Sequence, residues 1–284
     1  MHLGNGQVTT ACALYGLSAA GAGLICGYAV ARKTAAPQPL RYALGTSVVF
    51  ALQALNLPVA SGISGHLIGG MLLAYWFGPA WGTFAVASVL ALQSALVGDG
   101  GWTTLGCNIF NMAVIPCLIV YPIWDRATSR LRDNARLATL AVASWISVLA
   151  ASVFGAVELL STPAARDNAQ AIVSGMVGAH ALIGLIEAVG TVALIIIAQQ
   201  LRDLPQSIQR PAATAGILAA ALLAAFGSSP WPDGLDYALS RAGVVSAFAQ
   251  AGGDYTLVNL ACGMLLIGIM TFAASHAFRS RSAI

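Results

Sequence analysis

Residues Ser61–Gly70 read SGISGHLIGG, a polar, glycine-rich break between two apolar runs. An unpaired peptide group inside a bilayer costs several kcal/mol, so irregular backbone persists there only when it is buried in protein or lines a cavity. The break also carries an imidazole, His66, and an ionisable group at membrane depth is a functional-site hypothesis by default. The apolar run that follows, Leu67–Phe77, is too short to span. At 1.5 Å per residue it covers about 16 Å, roughly half of a hydrocarbon core. If Gly78-Pro79 marks the cytoplasmic turn, His66 lies near mid-membrane. Short, glycine-interrupted helices of this kind point to binding sites in transporters.

The rest of the chain fits a membrane setting. Its 284 residues are 58% hydrophobic and 8% charged, with a mean hydropathy of +0.80, whereas soluble domains carry about 25% charge. An all-α integral membrane protein is expected, with no separate soluble domain. Besides the short run, the apolar stretches are Thr9–Ala31, Tyr42–Leu57, Ala80–Val97, Leu105–Trp124, Leu137–Leu160, Ala171–Gln199, Ala212–Gly227 and Thr256–Phe278, about nine membrane segments in all. With the N-terminus outside and the C-terminus inside, Arg32, Lys33, Arg41, Arg126, Arg130, Arg132, Arg136, Arg202, Arg210, Arg279 and Arg281 all fall on the inner side. Of the thirteen basic residues only Arg166 and Arg241 fall outside, as the positive-inside rule requires. The expected location is the inner or plasma membrane, with multiple passes through the lipid bilayer. No basic cluster beyond the membrane flanks points to nucleic acid.

Several chemistries are disfavoured. Cys12, Cys26, Cys107, Cys117 and Cys262 are scattered without a C-x-x-C pair, and the six methionines do not cluster, which argues against a soft Cu(I) site. No H-E-x-x-H occurs, and the only lysine, Lys33, is not in a Gly-Lys-Ser/Thr phosphate loop. Any ATP coupling must come from another polypeptide. No nucleophile-and-base pair suggests an intramembrane enzyme. Gly23 and Gly27 form a GxxxG pattern that serves either internal packing or a second membrane subunit.

The start of the chain offers a different chemistry. MHLGNGQVTT lacks the Lys or Arg that would begin a secretion signal, so Met1 and His2 are expected at the mature terminus. A free terminal amine, the His2 peptide nitrogen and its imidazole Nδ1 can chelate one metal in fused five- and six-membered rings, with His66 as a fourth nitrogen. Four nitrogens in a plane suit Ni(II) or Cu(II), provided the peptide nitrogen loses its proton. A histidine at position two is by itself weak evidence, since an unstructured terminus accounts for it more simply. Elsewhere, His180 and Glu187 share a helix face but stand about 10.5 Å apart along the axis. They are read either as structural hydrogen-bonding groups or as a proton or metal relay. Asn108 and Asn111 are expected to brace the loop around His66.

These residues together resemble the CbiM/NikM family, the substrate-capture membrane subunits of energy-coupling-factor transporters for cobalt and nickel. The resemblance is carried by Met1-His2, by SGHLIGG (Ser64–Gly70) followed by FGP (Phe77–Pro79), by QSALVGDGGWTTLGCNIFNM (Gln93–Met112) and by HALIGLIEA (His180–Ala188). It covers roughly residues 1–200. It implies that Met1, His2 and His66 bind Ni(II) or Co(II) through four nitrogens. It also implies a membrane coupling subunit and a cytoplasmic ATPase as partners, and no resident cofactor. PDGLD at Pro232–Asp236 resembles the PDGLE signature of the CbiN/NikN accessory component. Residues 1–211 are therefore expected to form the capture domain and 212–284 a fused two-helix accessory module. Asp233, Asp236 and Asp254 in the module's outer loop are candidates for attracting cations. One departure stands out: the family usually has an acidic residue near position five, and this chain has Asn5 in MHLGNG. The reading from another functional class is an autonomous channel or proton-coupled carrier using His180 and Glu187.

Overall fold

A computed structural model describes residues 2–244 and 255–282. Helix α1 (Thr10–Ala31) begins where the Thr9 hydroxyl accepts the Cys12 N–H, a side-chain cap for an otherwise orphan donor. Helix α2 (Pro39–Ala54) follows, with proline in its first turn. The chain then departs from the all-α expectation. Strands β1 (Leu57–Ala60) and β2 (Ile63–Gly65) pair antiparallel, Leu57 opposite Gly65 and Pro58 opposite Ser64. The hairpin meets the hydrogen-bonding demand of this non-helical stretch partly by itself. Helix α3 (Gly70–Phe77) starts three residues later than the apolar run suggests, and Gly78 turns the chain into α4 (Pro79–Leu96).

The next run is one long helix with a change of winding. It comprises α5 (Leu105–Ile109), a wider π-wound segment (Phe110–Val120) containing Pro116, and α6 (Tyr121–Thr128). Helices α7 (Asp133–Leu159), α8 (Pro163–Arg166) and α9 (Ala169–Arg202) complete the larger part. Beyond it lie α10 (Gln206–Phe226), the short α11 (Gly234–Arg241) and α12 (Leu257–Ser282). Each of the apolar runs carries a helix. Among the described residues six helices are long and apolar enough to cross a membrane.

The core is built from Tyr42, Phe50, Met71, Leu72, Leu90, Met112 and Leu140, all fully buried. Large apolar side chains also point outward, such as Tyr15, Ile25, Val189, Phe226 and Val258, the pattern of a surface facing hydrocarbon. The small residues of α1 serve internal packing. Gly16 and Gly106 bring the α1 and α5 backbones together with no room for a Cβ, and Gly23 abuts Val114. Helix α12 lies against α2, tied by Ser47 Oγ donating to the Met264 carbonyl (2.9 Å) and Ser275 Oγ to the Pro37 carbonyl (2.6 Å). Helix α11 packs on α9, which brings the PDGLD segment over the broken hairpin.

Candidate metal site

The N-terminal segment before α1 is locked to α5 and the loop between α4 and α5. The Leu3 N–H donates to Asn108 Oδ1 (2.8 Å). The Leu3 carbonyl accepts from Asn108 Nδ2 (3.0 Å), Thr104 Oγ1 (2.5 Å) and the Gly101 N–H (2.8 Å). Gly4 N–H donates to Gln7 Oε1 (2.7 Å). Asn5 Oδ1 accepts from both the N–H and the hydroxyl of Thr103 (3.0 and 2.9 Å). A side chain on Gly101 would collide with the Asn5 backbone. The loop reaches these positions through Gly98 and Gly100, at φ +71° and +76°, a conformation that costs most other residues energy.

This clamp delivers His2 into the interior. Its ring is 4% exposed and stacks on His66, itself 5% exposed, with centroids 5.2 Å apart and an interplanar angle of 15°. His2 Nδ1 lies 3.1 Å from Asp99 Oδ1, and Asp99 Oδ2 accepts the Tyr255 hydroxyl at 2.6 Å. Burial pushes the Asp99 carboxyl up, but the His2 imidazole and the Tyr255 hydroxyl outweigh burial and hold it below its ordinary value. His2 Nε2 is buried without a hydrogen-bond partner. His66 Nδ1 approaches the Leu67 carbonyl at 3.3 Å. A carbonyl can only accept, so this contact favours the tautomer with a lone pair on Nε2.

The loop bearing His66 is held by Glu187, for which the sequence leaves structural hydrogen bonding and a relay both open. Glu187 Oε2 accepts the Ile68 N–H (2.6 Å) and Oε1 the Gly69 N–H (2.9 Å). These are orphan donors at the start of α3, so the carboxylate also sits favourably at a helix N-terminus. Gly69, at φ +74°, makes the turn possible. On the hairpin's other side, the Ser64 N–H donates to the Pro232 carbonyl (2.8 Å) and its hydroxyl to the Trp231 carbonyl (2.6 Å). The segment preceding α11 thus bonds to β2, the strand that leads directly into His66.

The residues singled out from sequence separate into distinct roles. His2 and His66 come together. Met1 and Asp254 lie outside the described residues. Asn108 braces the N-terminal segment at Leu3 rather than the His66 loop, and Asn111 donates to Glu158 Oε2 (2.6 Å) on α7. The expected bracing by the two asparagines is corrected accordingly, because Asn108 meets the N-terminal segment at Leu3 and Asn111 meets α7, while Glu187 faces the loop. Glu187 and His180 do not form a joint site: both Glu187 oxygens are engaged by the loop, and His180 Nδ1 contacts the Met176 carbonyl (2.8 Å). Asp233 caps α11 by accepting the N–H groups of Leu235 and Asp236. Asp99 and Tyr255 were missed. Asp99 stood in plain view between two glycines, while the Tyr255 contact spans 156 positions and leaves no local trace.

Among the described residues no group of three or more His, Cys, Asp or Glu side chains could hold a metal ion. The donors at hand are two imidazoles and backbone nitrogen. Comparison with known proteins agrees with metal handling. The family model described as cobalt uptake substrate-specific transmembrane region, CbiM, matches residues 2–205. A protein of Archaeoglobus fulgidus that bears the name fused nickel transport protein NikMN is 29% identical over 95% of this chain and 94% of its own. A cobalt transport protein CbiM of Anoxybacillus flavithermus is 42% identical over 30% of this chain and 34% of its own. A crystal structure described as that of a transition metal transporter superposes with a TM-score of 0.61 at 25% identity, covering 74% of this chain and 97% of that one. With its apolar helices and its match over most of the length, this chain is a multi-pass membrane protein of the CbiM family.

Proposed function

We propose that the protein captures Ni(II) or Co(II) for import, in a transporter powered by separate ATPase subunits through a membrane coupling subunit. The observation that carries the reading is the buried stack of His2 on His66, reached only because the chain's first residues are clamped into the helical body. The Met1 amine, the His2 peptide nitrogen and the His2 imidazole supply three nitrogens, and His66 Nε2 the fourth. The clamp supports this assignment, since its hydrogen bonds to Leu3 hold the chain directly after His2. The chelate uses His2 Nδ1, so that atom must turn from Asp99 to the ion when metal binds. Amine, amide and imidazole each bind metal only without their competing proton, so affinity falls as pH falls.

In this reading the chain crosses the plasma membrane about nine times, N-terminus outside and C-terminus inside. Residues 212–284 act as the fused accessory module, its Pro232 segment and Tyr255 supporting the two histidines. The test is a Ni(II) and Co(II) titration by absorption, with the native start and with one glycine added before Met1. The native protein is expected to bind one ion with a square-planar Ni(II) spectrum, and the added residue to abolish that binding. Equal binding by both forms overturns the proposal.

A further inference from the structure

The turn between α6 and α7 lies away from the two histidines and carries an unusual density of charge. Arg126, Arg130, Arg132 and Arg136 stand there against Asp125 and Asp133. Asp125 is neutralised in place: its Oδ1 accepts from Arg136 Nη2, and the Arg136 guanidinium lies over the Trp124 ring, 5.1 Å from its centroid. Asp133 opens α7, where the helix dipole already favours a carboxylate. Arg126, Arg130 and Arg132 remain exposed, and among the described residues no ion pair holds them. The positive-inside rule accounts for the sign of this turn, but not for three unpaired arginines grouped on it. The turn also has a defined depth. Trp124 is buried and meets Tyr121 and Tyr75 at centroid distances of 5.5 and 6.3 Å, an aromatic group of the kind that sits at a membrane–water interface. Only residues 129–132 separate the two helices, and the Leu131 N–H returns to the Thr128 carbonyl (2.9 Å), so the arginines stay close to the bilayer. Ile123 and Leu131, 62% and 44% exposed, present apolar side chains beside the charges. A guanidinium matches a phosphate group in geometry as well as in charge.

We propose that Arg126, Arg130 and Arg132 bind the headgroup of an anionic phospholipid, with Ile123 and Leu131 against its acyl chains. Basic groups at headgroup depth attract anionic lipid, and a lipid uses the charges and the apolar side chains together, whereas a water-soluble partner would leave the apolar ones unused. The site stands apart from the capture of metal and does not depend on it.

The test is a phosphatidylglycerol titration of the purified full chain in detergent, read by native mass spectrometry, with phosphatidylcholine of the same acyl chains as reference. Near a membrane surface one arginine is worth about fivefold in binding. The native protein is expected to hold phosphatidylglycerol at least about tenfold more tightly than phosphatidylcholine, and the triple variant R126Q/R130Q/R132Q to lose that preference. Each single variant is expected to lose about three- to fivefold, and these decide the matter if the triple variant melts early in phosphatidylcholine. Arg32→Gln combined with Lys33→Gln removes two charges outside the turn and is expected to leave the preference intact. An unaltered preference in the arginine variants overturns the proposal. An equal loss in the Arg32 and Lys33 variant overturns it in favour of diffuse surface charge, and displacement of the lipid by millimolar inorganic phosphate in favour of a free-anion site. If the arginine variants keep the lipid but no longer co-purify with the ATPase and coupling subunits, the turn is a protein-docking surface and the lipid site is overturned.

Discussion

The two stacked histidines are mounted in opposite ways. His2 sits near a chain end; its ring faces Asp99, while the backbone beside it is held by neutral groups, the Asn108 amide, the Thr104 hydroxyl and the Gly101 N–H, at the N–H and carbonyl of Leu3. His66 sits in mid-chain, and the turn after it is held by a buried carboxylate, Glu187, through two backbone N–H groups. The first mount positions a backbone, which in the proposed function supplies nitrogens to the cation. The second positions a single side chain and fills the start of a helix. A site divided between separately anchored segments can assemble or come apart without either segment unfolding, and each mount can be broken by itself.

The largest effect is expected at the stack. Structural metal sites bind with roughly 10–16 kcal/mol over four ligands, so one ligand is worth about a hundred- to a thousandfold in affinity. His66→Ala should lose that much Ni(II) affinity by competition with a chelator of known strength. The terminal chelate would remain, so weak binding with an altered absorption band is expected rather than none. Undiminished affinity would remove His66 from the site.

Next comes the mount of His66. Glu187→Leu leaves two buried N–H groups unmet, at about 1–3 kcal/mol each, and frees the loop. Removal of such supporting groups typically costs about 10–100-fold in metal affinity. Both a lowered melting temperature and that affinity loss are expected, with Glu187→Gln intermediate because it keeps one acceptor oxygen. If Glu187 were a proton relay, its Gln variant would change transport with binding intact, so equilibrium binding decides between the two.

The mount of His2 should be more tolerant, because its bonds are several and share the load. Asn108→Ala removes two of the contacts to Leu3 and is expected to cost about tenfold in affinity. Gly101→Ala is expected to cost more than Asn108→Ala, since a side chain there displaces the Asn5 backbone outright. The reverse order, measured by the same titration, would mean that the amide rather than the close backbone approach sets the position of His2.

The sequence exposed the helices because apolar runs in a membrane chain have few alternatives. It exposed His66 because a polar break in such a run demands a reason. It did not expose the hairpin: β1 and β2 span four and three residues, too short for a period-two pattern, and Pro58 argues against a strand. Nor could it assign Glu187, whose partners lie 119 and 118 positions away. The same residue types at the same spacing on α9 suit a relay or a brace equally, and only the location of the loop decides. Asn108 and Asn111 stand three residues apart, yet they reach different segments, because the N-terminal segment at Leu3 meets the first and Glu158 of α7 meets the second.

The smallest effect is expected at the rim, where the chain departs from the family's usual acidic residue near position five. Asn5 is exposed, and its one functional atom in the clamp is Oδ1, which accepts two hydrogen bonds from Thr103. A carboxylate oxygen in its place accepts the same two bonds, so Asn5→Asp should keep the strand seated and change Ni(II) affinity by no more than about twofold, exposed charges being screened. Asn5→Ala removes both bonds, yet water can replace them at an exposed position, so a loss of only a few fold is expected, about 1 kcal/mol. If Asn5→Asp instead alters the preference between nickel and cobalt while Asn5→Ala does not, the charge at position five acts on the ion itself. The N-terminal mount would then be part of selectivity as well as of position.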